Sequence, residues 1–145
     1  MTAFFSSDDE IDRIGIGLLD RSLPEPEWTH AGHFAAALWL LRHKPHLVER
    51  GGVGAIIRAY NEATGTANTD NSGYHETITM ASMRAAAAFL ATHGEDAPLH
   101  LIANDLLASA CGDPNWLLDY WSRCALFSAA ARREWLEPDV APLPY

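Results

Sequence analysis

Prolines and polar caps cut this chain into stretches of helical period, and no stretch alternates apolar and polar residues as a half-buried strand must. Ser7-Asp8-Asp9-Glu10 reads as a capping box, opening a helix that carries Ile11, Ile14, Leu18 and Leu19 and ends near Asp20. Pro24 and Pro26 break the chain after it. Thr29 caps a second helix, expected to reach about Arg42 before Pro45 stops it. A third runs from about Leu47 to Thr64, where Gly51, Gly52 and Gly54 weaken the start enough to divide it into two pieces. Gly65 to Gly73 is a polar loop rich in cap and turn formers. A fourth helix, rich in alanine, follows over about Tyr74 to Thr92, and a fifth over Pro98 to about Ala110. Asp113-Pro114 reads as an N-cap with proline at the first helical position, ahead of a short helix bearing Trp116, Leu117, Tyr120 and Trp121. Ser128 caps a last short helix to Leu136, and the proline-rich stretch from Glu137 to Tyr145 is expected to lie extended on the surface. The prediction is an all-α fold: one helical domain over residues 1–145, a bundle of four to five main helices with a decorated C-terminus.

The length of 145 residues suits one domain with a real core. With 19 acidic against 10 basic side chains the net charge is −9. That balance argues against a nucleic-acid partner, which needs cations to replace phosphate counterions, and against adhesion to an anionic membrane. No apolar run has the length of a membrane span. The first ten residues are polar and acidic, so no signal peptide is expected, and the cytoplasm is the expected compartment. Cys111 and Cys124 form no CxxC pair and read as small apolar side chains.

Two histidine-bearing segments point to a site: Trp28-Thr29-His30-Ala31-Gly32-His33 and Ser72-Gly73-Tyr74-His75-Glu76-Thr77. On the second helix, His30 and His33 share an arc with Phe34, Ala37, Leu38, Leu40 and Leu41, the stripe that faces a core. Positions i and i+3 are neighbours, so both imidazoles can reach one ion. His75, expected in the first turn of the fourth helix and facing inward, is the candidate third ligand. Glu76 is the candidate fourth ligand or general base. Trp28, Asp70, Tyr74 and Thr79 are the candidate pocket wall. Three neutral imidazoles with one open position make a Lewis-acidic site that lowers the pKa of bound water. The mixed nitrogen and oxygen set suits a divalent ion such as Zn, Fe, Ni or Mn.

The other histidines read as structural. His43, His46 and His93 sit at helix ends, where positive charge suits the dipole, and His100 is a stray candidate ligand. Asp8, Asp9 and Glu10 complement a helix N-terminus, and Arg132-Arg133 reads as a solvated pair.

At these motifs the chain resembles a family of small bacterial all-helical proteins. The resemblance takes in Trp28-Thr29-His30 with His33, Tyr60-Asn61-Glu62 through Asn68-Thr69, Ser72 to Thr77, Leu126-Phe127-Ser128 and Glu137-Pro138-Asp139. It implies a shared histidine site and no particular reaction. A looser similarity is to DinB-like helical bundles, which hold a divalent metal with three histidines from different helices; the histidine spacing here departs from theirs. Three readings follow. The leading one is a metal-dependent enzyme acting on a small molecule by hydrolysis, isomerisation, elimination or iron-dependent oxygen chemistry. The second is a metal-free enzyme using a histidine beside Glu76 as acid or base. The third is a binding protein, a homodimer through Trp39, Trp116 and Trp121, in which the histidines are structural.

Overall fold

The computed structural model describes residues 4–145. The long helices are α1 (Asp8–Asp20), α2 (His30–His43), α4 (Val53–Ala63), α5 (Glu76–Ala91) and α6 (Leu99–Ala108). Shorter ones are α3 (Pro45–Glu49), α7 (Arg123–Leu126) and α8 (Ala129–Arg133). The described residues contain no strand, so the fold is all-α.

α2 lies at the middle of the bundle, packed on α1, α5 and α6. Its sequence explains that place. Phe34 to Leu40 is an unbroken apolar run and every member is buried. A helix apolar on all sides has to be surrounded. Its approach to α1 is tight: a Cβ on Gly15 would lie 2.2 Å from the Trp39 ring. Glycine is therefore the only residue that lets the two helices meet there, and the Trp39 indole N–H donates to Asp12 at 3.1 Å.

Most boundaries follow the sequence signals. Thr29 caps α2 through its hydroxyl, which accepts from the Gly32 N–H at 3.0 Å. The glycine-weakened segment is indeed two helices, α3 and α4, with Gly51 between them at φ +71°. Three expectations need correction. Ser7 occupies the N-cap of α1 without a side-chain cap, and Glu10 reaches back to the N–H of Ser6 instead (3.0 Å). Asp113 opens a turn by accepting from the Asn115 N–H, and Trp116–Asp119 is a single 3-10 turn rather than an α-helix. His75 is the N-cap of α5, not a residue of its first turn.

The C-terminal stretch is docked on the bundle. Ser122 caps α7, and its backbone and hydroxyl both donate to Asp139 of the tail (2.8 and 2.7 Å). The buried Thr77 hydroxyl of α5 donates to the Ala131 carbonyl at 2.7 Å and accepts from the Leu136 N–H at 3.1 Å. Trp39, Trp116 and Trp121 are all buried in the core of the single chain. Among the described residues no helix is long and apolar enough to cross a membrane.

Candidate functional site

The loop between α4 and α5 sets one wall of the site. Asn68 organises it: its Oδ1 accepts from Asn61 Nδ2 and from the Tyr74 N–H, both at 3.0 Å, and its Nδ2 donates to the Arg58 carbonyl at 3.1 Å. Gly73 turns the chain at φ +76°, where a Cβ would lie 2.5 Å from the Ala67 carbonyl. This turn delivers Tyr74 and His75 to the mouth of α5.

His75 is then fully used. Its Nδ1 accepts from the Ile78 N–H at 3.1 Å, which is the cap of α5. Nε2 must carry the proton, because its partner, the Leu126 carbonyl at 2.6 Å, can only accept. Burial holds the imidazole below the usual histidine range, and the nearby Arg132 charge pushes the same way. Nδ1 thus caps α5 and Nε2 joins it to α7, so neither offers a lone pair to a ligand.

His33 is the opposite case. Its Nδ1–H donates to the Thr29 carbonyl at 2.6 Å, which fixes the tautomer and leaves Nε2 as a bare acceptor. No group among the described residues bonds that nitrogen. The indole of Trp28 stacks on the ring, with centroids 3.8 Å apart. Surrounding protein desolvates the imidazole and lowers its pKa, yet the ring is open to solvent, as at the floor of a cleft. Three cavities meet at His33 and Ile78. The polar one, about 440 Å³, is walled by Trp28, Tyr60, Tyr74, His75, Thr79 and Arg132 among others. An apolar one of about 290 Å³ runs past His30, Phe34, Trp116 and Phe127. The third is a slot of about 60 Å³ between α2, α4 and α5.

His30 lines the apolar cavity. Its Nε2–H donates to the Cys111 carbonyl at 2.8 Å, leaving Nδ1 as the bare nitrogen. Tyr60 stands edge-on to Trp28, its hydroxyl donating to the Leu23 carbonyl at 2.8 Å. Tyr74 donates to Glu76 at 2.5 Å and lies under the Arg58 guanidinium, 4.4 Å from its ring centroid. Burial, then the Glu76 bond, pushes the Tyr74 hydroxyl well above the usual tyrosine range.

The expected set is thus brought together in part. His33, His75, Trp28, Tyr74 and Thr79 border one cleft, with His30 in the adjoining cavity. Glu76 is turned to a separate hollow with Met80 and Arg84. Asp70 borders none of these cavities; it pairs with Arg133 on the surface. The described residues hold no group of three or more histidine, cysteine, aspartate or glutamate side chains placed to bind a metal ion. His30, His33, His75 and Glu76 therefore do not form one donor set as folded, because two of the four are committed to other bonds. His100 is not a stray ligand either: its ring and backbone nitrogens both donate to Asp8 (2.6 and 2.9 Å), joining α6 to α1. Arg132 is the residue the sequence reading placed wrongly. It is half-buried in the cleft, and only its neighbour Arg133 is solvated. Side chains at i and i+1 point about 100° apart on a helix, and nothing local tells which of two adjacent arginines turns inward.

Against known protein families, curated proteins and solved structures, the chain has no match.

Proposed function

We propose that this protein is an enzyme that acts on a small molecule in the His33 cleft by acid–base chemistry, with His33 as the base. One observation carries the reading: His33 is a neutral imidazole, pinned through Nδ1 to a carbonyl, whose Nε2 has no protein partner, on a side chain that borders three cavities at once. A base needs this combination of a fixed ring, a free lone pair and a pKa near or below working pH. Once Nε2 takes a proton, the Thr29 carbonyl and the stacked Trp28 face stabilise the imidazolium. Glu76 serves by fixing the Tyr74 hydroxyl, and His75 by holding the wall. The acidic chain makes a nucleic-acid partner a poor fit, and the cytoplasm is the compartment that this reading assumes.

The test is turnover of a panel of small esters, amides, enolisable ketones and β-substituted acids by wild type and His33→Gln. Loss of a wild-type activity by about 10²-fold or more supports the reading. Undiminished turnover in the variant overturns it.

A second reading keeps a divalent ion. His30 and His33 are i, i+3 neighbours that each donate one ring N–H to a backbone carbonyl, the way metal-ligating histidines are usually oriented. Two nitrogens are fewer than the three protein donors of a typical catalytic zinc site, so water or substrate would fill the rest. One equivalent of metal in the purified protein, lost in His30→Ala and in His33→Ala, would establish it; a metal-free and active protein would remove it.

A further inference from the structure

We infer that the ligand of this cleft is a small organic monocarboxylate, its acid group held by Arg132 and its apolar end lodged beyond His33; this rests on the reading of the cleft as a small-molecule site. Arg132 reaches the cleft from α8, where Nη1 donates to the carbonyls of Gly73 and Tyr74 at 2.9 and 3.3 Å. These bonds fix the guanidinium, and no carboxylate among the described residues is in ion-pair contact with it; Asp70, near enough to feel its charge, is bonded to Arg133. Among the arginines without an acid partner, Arg42 and Arg132 are half-buried, and Arg132 alone lines the cleft. Its Nε is the only buried side-chain nitrogen or oxygen among the described residues with no hydrogen-bond partner. A buried donor without an acceptor is destabilising, and a bound anion would relieve the charge beside it. Glu25 is the single carboxylate lining the cleft, and it is exposed.

The opposite end is apolar. Past His33 and Ile78, one cavity is walled by Phe34, Trp116 and Phe127, and the slot by Leu40, Val53 and Met83. A molecule spanning the junction meets a cation first, then the free Nε2 of His33, then hydrocarbon. A monoanion suits one guanidinium. A phosphate dianion is a poorer fit, because no lysine and no second arginine lines the cleft.

The experiment is NMR titration of the full-length protein with hexanoate, hexanamide and inorganic phosphate. The Arg132 Nε–H and Trp28 indole N–H signals are followed. Hexanoate is expected to bind saturably and shift both, with hexanamide and phosphate each weaker by about tenfold or more. Arg132→Gln should weaken hexanoate by a similar factor, and Arg133→Gln should leave it unchanged. Equal binding of hexanoate and hexanamide would overturn the inference, as would no hexanoate binding or undiminished binding in Arg132→Gln. The acid-against-amide comparison in the wild type stands even if Arg132→Gln folds poorly. A carboxylate preference without His33-dependent turnover would keep the anion site and remove the acid–base reading. His33-dependent turnover without that preference would do the reverse.

Discussion

His33 and His75 stand near the starts of two helices packed on each other, and the fold uses them in opposite ways. The hydroxyl of Thr29 caps α2, so the histidine four residues later has only one nitrogen engaged. At α5 no serine, threonine, aspartate or asparagine is at the boundary, and the imidazole of His75 is itself the cap. Its other nitrogen then satisfies a carbonyl of α7. The same side chain is a free base where another residue has done the capping, and a structural bracket where none has. A histidine motif in a sequence therefore becomes a site only when its neighbours leave a nitrogen over.

The sharpest way to break this contrast is to remove each imidazole in turn. His33→Gln is expected to lower turnover by about 10²- to 10⁴-fold, with thermal stability within about 0.5 kcal/mol of wild type. Calorimetry beside the assay separates the two effects, and a large loss of stability would place His33 with His75. His75→Ala should do the reverse. It removes a cap, worth about 1 kcal/mol, and leaves the Leu126 carbonyl without its donor, costing about 1–3 kcal/mol more. Urea denaturation should show a total of roughly 2–4 kcal/mol. An unchanged midpoint would mean that His75 is not the bracket described here.

Gly15→Ala tests the packing that holds α2, and with it His33, in place. The added methyl meets the Trp39 ring, and a loss of about 1–3 kcal/mol by denaturation is expected. Full stability in this variant would show that α1 and α2 have room between them.

The smallest effect is on pH. His33 and His75 are both held below the ordinary histidine pKa by burial. A histidine depressed in the folded state contributes stability that is complete above its unfolded pKa of about 6.5. That contribution is lost as pH falls from there toward the folded value. His93 acts the other way. The Phe89 carbonyl and Asp105 raise its pKa, so its contribution is present below the unfolded value and lost as pH rises through the folded one. Two depressed groups against one raised group predict a melting temperature that falls between pH 7 and 5. His75→Gln should flatten part of that slope. A slope unaffected by the substitution would mean that His75 protonates freely in the folded protein.

The helices were legible because their ends are written in local chemistry: Thr29, Pro45, the Gly51–Gly54 cluster and Ser128 mark boundaries within a residue or two of those observed. Asp113-Pro114 misled because the same dipeptide also opens a tight turn, and a 3-10 turn has no apolar period to distinguish it. The site was legible as a pair of histidine motifs and a polar loop. What could not be read was how each nitrogen is spent. The partners of His30, His75 and Asp70 come from Cys111, Leu126 and Arg133, far along the chain, and two of those three partners are backbone carbonyls that no side-chain pattern reveals. Arg132 was hidden for the same reason: its partners are the carbonyls of Gly73 and Tyr74.

The difference between the two imidazoles is best measured by long-range proton–nitrogen NMR of the ring nitrogens, assigned with His33→Gln and His75→Gln. His33 is expected as the Nδ1–H tautomer at neutral pH, with Nε2 a bare nitrogen that responds to added hexanoate. His75 is expected as the Nε2–H tautomer, with a slowly exchanging proton and no response to hexanoate. A protonated or Nε2–H His33, or a His75 whose ring proton exchanges freely and whose shifts follow the ligand, would contradict that difference.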